Sequence, residues 1–166
     1  KFKNNKKIII KNSLLENILG TDYTVISCIW QRNMHFPLNY NKELYSNYWH
    51  YDFKRQPNRW CRLMVYLTDQ GEEESIQLFN LSTSLKALKN HLYGRYHEEQ
   101  LPDLLKNEEY FSSPGPKGTI KIINTADLLH RAGNLGEGKI RDVFFLIMQS
   151  KHEWKYSEDQ FPDILA

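Results

Sequence analysis

Trp60-Cys61-Arg62-Leu63-Met64-Val65-Tyr66-Leu67-Thr68 is a run of apolar, aromatic and β-branched side chains closed by the turn signal Asp69-Gln70-Gly71. It reads as a β-strand. Alternation puts Arg62, Met64 and Tyr66 on one face and Cys61, Leu63, Val65 and Leu67 on the other. One face must be core, and Arg62 and Tyr66 are the polar candidates for a pocket wall.

Upstream, residues 23–31 (YTVISCIWQ) give another strand, and residues 6–10 a short one. Residues 13–19 carry a capping serine, a glutamate at the third following position and leucines at helical spacing before Gly20, which predicts a short helix. Residues 32–45, with Asn33, Pro37 and Asn39, read as a loop. Residues 46–53 read as extended, with a break at 55–58 around Pro57. Downstream, residues 75–81 read as a strand. In residues 82–109, Leu85, Leu88 and Leu92, then Leu101, Leu104 and Leu105, have helical spacing and predict an inserted helical segment in which Pro102 falls in a tolerated first turn. After the turn-rich 112–118 (SSPGPKG), residues 118–125 and 139–149 are strand-like. The tail after Ser150 is polar, with Trp154 and Phe161 as docking points. Strands cluster at both ends and no βαβ alternation or repeat is present, which favours a mainly β antiparallel barrel or double-sheet jelly roll with helical additions.

With 166 residues, the chain suits a single domain spanning 1–166. Its 13% aromatic share fits either a β-rich body or an aromatic-lined pocket. The 22 basic and 20 acidic residues nearly cancel, which argues for neither nucleic acid nor an anionic membrane. The basic residues 1–7 read as a frayed end. Cys28 and Cys61 read as reduced core residues, too few for a disulfide scaffold. No apolar run approaches a membrane span and no signal-peptide pattern is present, so the expected location is cytoplasmic. The chain opens on Lys1 rather than Met, which admits a missing native N-terminus. The oligomeric state is not legible.

His50-Tyr51-Asp52 carries the chemistry. On a strand, residues two apart share a face, so an imidazole and a carboxylate aim at one place while Tyr51 points away. His130 follows the apolar Leu128-Leu129, and Arg141 opens the apolar run 141–147. Two histidines and a carboxylate on one face of a first-row metal leave three positions open, the pattern of non-haem Fe(II) oxygenases. A guanidinium at the start of a buried strand needs a partner, and a bidentate carboxylate ligand such as the distal end of 2-oxoglutarate supplies one. The plainer alternative for Arg141 is a salt bridge to Asp127 or Asp142.

Three blocks together resemble the phytanoyl-CoA dioxygenase-like family of 2-oxoglutarate oxygenases. These are Trp49-His50-Tyr51-Asp52; residues 62–69 (RLMVYLTD); and Gly115-Pro116-Lys117-Gly118-Thr119 with Asn124-Thr125, His130-Arg131-Ala132-Gly133 and Arg141. They run in the family's order from about Leu19 to Met148. The resemblance implies a double-stranded β-helix (jelly roll, cupin-like), and Fe(II) held by His50, Asp52 and His130. It further implies 2-oxoglutarate clamped by Arg141, dioxygen as co-substrate and hydroxylation of a small molecule. Two departures stand out. Residues 79–84 lack the family's Pro-Gly-Ser-His-like turn, and Ala132 replaces a serine-like donor two residues past the distal histidine. The latter costs on the order of 1 kcal/mol of co-substrate binding. Two alternatives keep the barrel: a cupin-type metalloenzyme without 2-oxoglutarate, and a non-catalytic binding module.

Other candidates are weaker. Trp30 and Gln31 precede the metal motif and can reach the pocket, while Trp49 is expected to pack. His97-Glu98-Glu99 reads as a solvated helix start, because it lacks a zinc-protease partner histidine. His35, His91 and His152 read as surface residues, Glu72-Glu73-Glu74 as a solvated turn, and Gly133, Gly136 and Gly138 as turn glycines.

Overall fold

A computed structural model describes residues 13–35, 45–52 and 58–153. The expected strand at 6–10, the middle of the 32–45 loop, the break at Pro57, and Trp154 and Phe161 lie outside the described residues. The first helix, α1, spans Ser13–Leu19 and stops where Gly20 turns to φ 81°, its N–H donating to Glu16 O at 2.8 Å. A seven-residue helix is marginal alone. Here Leu15 and Leu19 are buried against Cys61 and Met148 on the outer face of a sheet.

That sheet contains β1 (Tyr23–Met34), β2 (Asn58–Tyr66), β5 (Ile120–Ile123) and β7 (Ile140–Glu153), in the order β1-β7-β2-β5. All its pairings are antiparallel. A second sheet has β3 (Gln77–Phe79), β4 (Tyr110–Ser112) and β6 (His130–Arg131), in the order β4-β3-β6. Its far side is extended by a reciprocal bridge between His50 and His130. Met64, Tyr66, Ile123, Val143 and Phe145 from the first sheet meet Ile76 and Leu78 in one core. The chain is therefore mainly β with helical additions, a double-stranded β-helix.

The alternation read along β2 separates two faces: Arg62, Met64 and Tyr66 point into the space between the sheets and Cys61 points out to α1. Several expectations need correction. The first strand runs on to Met34, because Arg32 forms a two-pronged cross-strand pair with Asp142 (2.8 and 2.7 Å). Cys28 is exposed, since β1 is an edge strand. Residues 45–47 make a 3-10 turn, so the extended stretch begins later. The strand at 75–81 shrinks to three residues, because Asn80 caps α2 (Leu81–Lys89) by accepting from the Thr83 N–H at 2.8 Å. The short β4 was not foreseen.

The helical segment ends its first helix before Leu92. The His91 N–H bonds Leu88 O and the Leu92 N–H bonds Ala87 O, a Schellman closure with His91 at φ 58°. A 3-10 turn at Glu98–Gln100 and the short α3 (Asp103–Lys106) follow, with Pro102 in the N-cap position. Leu85, Ala87, Leu88, Leu101 and Leu105 pack with Trp49, Tyr51, Phe79 and Leu129. This cluster lies directly behind the His50 and His130 segments. Ser84 ties it down: its carbonyl accepts from the Tyr51 hydroxyl at 2.7 Å and its Oγ from the Leu129 N–H at 3.0 Å.

Candidate metal centre

The bridge that extends the second sheet also builds the centre. The His50 N–H donates to His130 O at 2.9 Å, and the His130 N–H to His50 O at 3.0 Å. This reciprocal pair brings the two rings to 4.5 Å between centroids. Two residues on, the Asp52 N–H donates to Thr125 O at 3.1 Å, which returns the carboxylate to the same side. Tyr51 points away into the core behind, and Trp49 packs there fully buried, as expected. Asp52 Oδ1 lies 3.6 Å from His50 Nε2, and Oδ2 lies 3.7 Å from His130 Nε2. One donor atom from each residue falls within 4.8 Å of the others.

This donor set fits a cation. His50 Nδ1 lies 2.6 Å from Tyr48 O and His130 Nδ1 lies 2.9 Å from Leu128 O. A carbonyl can only accept, so Nδ1 carries a proton in each ring and Nε2 is the atom left to ligate a metal at the common centre. Burial pushes the His130 imidazole down, toward the neutral form that ligates metals. Burial pushes the Asp52 carboxyl up, but the two histidines and Arg62 outweigh it and hold the group well below the usual carboxylate range. A neutral imidazole and an ionised carboxylate are the ligand states a divalent metal requires. Asp52 Oδ2 is buried and accepts no hydrogen bond; Arg62 Nη2 stands 2.5 Å away in an ion pair without hydrogen-bond alignment.

The centre opens on a cavity between the sheets. Its wall includes His50, His130, Arg62, Met64, Tyr66 and Arg141. Arg141 is buried, and its Nη1 donates to Glu74 O at 2.7 Å and Gly133 O at 3.0 Å. Asp142, one expected salt-bridge partner, is taken by Arg32. Nε and Nη2 donate to no described residue. Burial pushes the Arg141 guanidinium down, though an arginine so shifted is still a cation at neutral pH. Tyr66 reaches the cavity, but its hydroxyl donates to Ser113 O at 2.9 Å.

Trp30 faces solvent, whereas Gln31 lines the cavity and donates to Asn33 Oδ1 at 2.8 Å. Asn33, Ser46, Ile76 and Phe145 are further wall residues that sequence reasoning missed. Asn33 shares a face with Gln31 once the strand is continued, which is the signal that could have found it. Glu74 is buried rather than solvated and pairs with Lys139. Gly133 is more than a turn residue: a Cβ there would lie 2.1 Å from Glu73 O and 2.4 Å from Ser75 O.

No protein-family model matches the chain, and comparison with curated proteins finds no match. Solved structures do match in shape. AviO1 from Streptomyces viridochromogenes Tue57 superposes with a TM-score of 0.55 at 13% identity, over 86% of this chain and 57% of its own. EvdMO1 gives 0.55 and 13%, over 84% of this chain and 30% of its own. HygX from Streptomyces hygroscopicus, with iron bound, gives 0.53 and 13%, over 92% and 70%. Its form with nickel, 2-oxoglutarate and hygromycin B gives 0.52 and 11%, over 92% and 67%. The chain thus spans little more than half the length of AviO1 and under a third of EvdMO1. At these identities the likeness establishes the fold.

Proposed function

We propose that this chain is an Fe(II)- and 2-oxoglutarate-dependent oxygenase that hydroxylates a C–H bond of a small molecule, of the phytanoyl-CoA dioxygenase-like kind. The observation that carries the reading is the convergence of His50, Asp52 and His130 on one point at the wall of a cavity that also holds a buried arginine with no carboxylate partner among the described residues. HygX, which shares the fold, has been crystallised with iron and with 2-oxoglutarate, and that supports the same cofactors here.

In this reading the two Nε2 atoms and an Asp52 oxygen hold Fe(II). Nε and Nη2 of Arg141 form a fork for the distal carboxylate of 2-oxoglutarate, while Glu74 O and Gly133 O fix its other nitrogen. Met64, Ile76, Val143 and Phe145 keep water from the reacting centre. Ser46 brings a hydroxyl to the wall beside Ala132, whose N–H donates to Ser46 O at 2.7 Å. It stands in for the serine donor that Ala132 lacks. When bound, the iron and its 2-oxoacid couple reduction of dioxygen and decarboxylation to oxygen insertion, so 2-oxoglutarate, O2 and R–H give succinate, CO2 and R–OH.

Succinate formed from 2-oxoglutarate in air, with Fe(II) and ascorbate, tests this. Turnover in the wild type and its loss in H130A and R141Q are expected. Metal binding with no use of 2-oxoglutarate would favour a cupin-type metalloenzyme.

A further inference from the structure

We propose that Arg62 is the receptor for an anionic group of the acceptor substrate, a carboxylate or a phosphate; this rests on the oxygenase reading above. Arg62 lies in the cavity wall with Nη2 2.5 Å from Asp52 Oδ2 and its guanidinium 4.9 Å above the Phe145 ring. Its Nε is buried and makes no hydrogen bond. A buried guanidinium holds unsatisfied donors only at a cost that a ligand can remove. The stacked ring fixes the plane of the fork, which favours an oxyanion with two acceptor atoms.

Charge points the same way. Arg62 and Arg141 line the cavity, no Asp or Glu is among the described lining residues, and Asp52 is the carboxylate that touches Arg62. An Asp52 shared with a dication would neutralise Arg62 less. The metal and two guanidiniums then bring four positive charges against one from Asp52 and two from 2-oxoglutarate. One positive charge remains in the pocket.

The two arginines serve different groups. Arg62 is opposite Ile147 on β7, six residues along the strand from Arg141, a backbone separation of about 20 Å. A co-substrate held between the metal and Arg141 would leave the Arg62 fork to another anion. The anion that meets Arg62 therefore belongs to the second substrate.

The test uses the full chain loaded anaerobically with Mn(II) and saturating 2-oxoglutarate. Hexanoate, hexyl phosphate and neutral hexanamide are titrated in by calorimetry. The expected result is at least tenfold tighter binding of one anion than of hexanamide, a preference lost in R62Q and kept in part in R62K. Which anion wins identifies a carboxylate or a phosphate substrate. Equal binding of all three by the wild type overturns the proposal without any variant. A preference that persists in R62Q also overturns it, since the anion is then held by the metal or Arg141. Failure to bind 2-oxoglutarate, seen before any anion is added, overturns the oxygenase reading and this proposal with it. A wild type that binds 2-oxoglutarate but shows no anion preference overturns this proposal alone.

Discussion

Asp52 is held ionised by three neighbours, and Arg141 is held by two backbone carbonyls. One of those carbonyls belongs to Glu74, whose side chain pairs with Lys139. The hydrogen bond from Lys139 keeps the Glu74 carboxyl below its ordinary value of 4.5. Folding thus favours the ionised form, and the pair's contribution is present above about pH 4.5 and lost as pH falls through the lowered folded value. E74Q is expected to be less stable than the wild type at pH 7, with the gap closing in acid. Urea unfolding at a series of pH values measures it, and a gap independent of pH would contradict the pairing. At this scale the sequence was legible where local geometry decides. Period-two alternation correctly put His50 and Asp52 on one side and Tyr51 on the other. It failed for Glu74, because three consecutive acids look like a solvated turn. Nothing local says that Lys139, far along the chain, comes back to meet the third.

Two backbone features set the elements behind the centre. Gly133 passes so close to Glu73 O and Ser75 O that a side chain cannot fit. G133A is expected to push the 73–75 loop away, cost about 1–3 kcal/mol and weaken 2-oxoglutarate binding by loosening Glu74 O from Arg141. G136A, whose Cβ would meet only the flexible end of Lys139 at 3.8 Å, is the control. Equal effects of the two in thermal melts and 2-oxoglutarate titration would refute the crossing. His91 closes α2 in the left-handed region, which costs a residue with a Cβ about 1–2 kcal/mol. H91G is therefore expected to stabilise the protein by about 1 kcal/mol; a lower denaturation midpoint would contradict this. Leucine spacing made the helix legible but not its end, because Leu92 continues the apolar period while the backbone has already turned. Likewise Asn33 and Pro37 suggested a loop from Arg32, whereas the Arg32–Asp142 pair carries the strand to Met34.

Across the molecule, the jelly roll was legible from clustered strands and the lack of βαβ units. The order of strands was not, since pairings such as His50 with His130 join distant segments and depend on loop closure rather than local pattern. The helical segment at 82–109 supplies much of the core behind the centre, and we read the chain as one cooperative domain. Far-UV circular dichroism and tryptophan fluorescence are expected to report one coincident unfolding transition. L105A, in α3, should lower its free energy by about 2–5 kcal/mol; two separated transitions would contradict the single domain. The central claim, a metal held by His50, Asp52 and His130 with Arg141 gripping a dicarboxylic acid, is tested most directly by anaerobic calorimetric titration of 2-oxoglutarate into Mn(II)-loaded protein. The account predicts one-to-one binding that needs the metal, disappears in H130A and weakens by about 100-fold in R141Q. Binding that is unchanged without metal or in R141Q would contradict it.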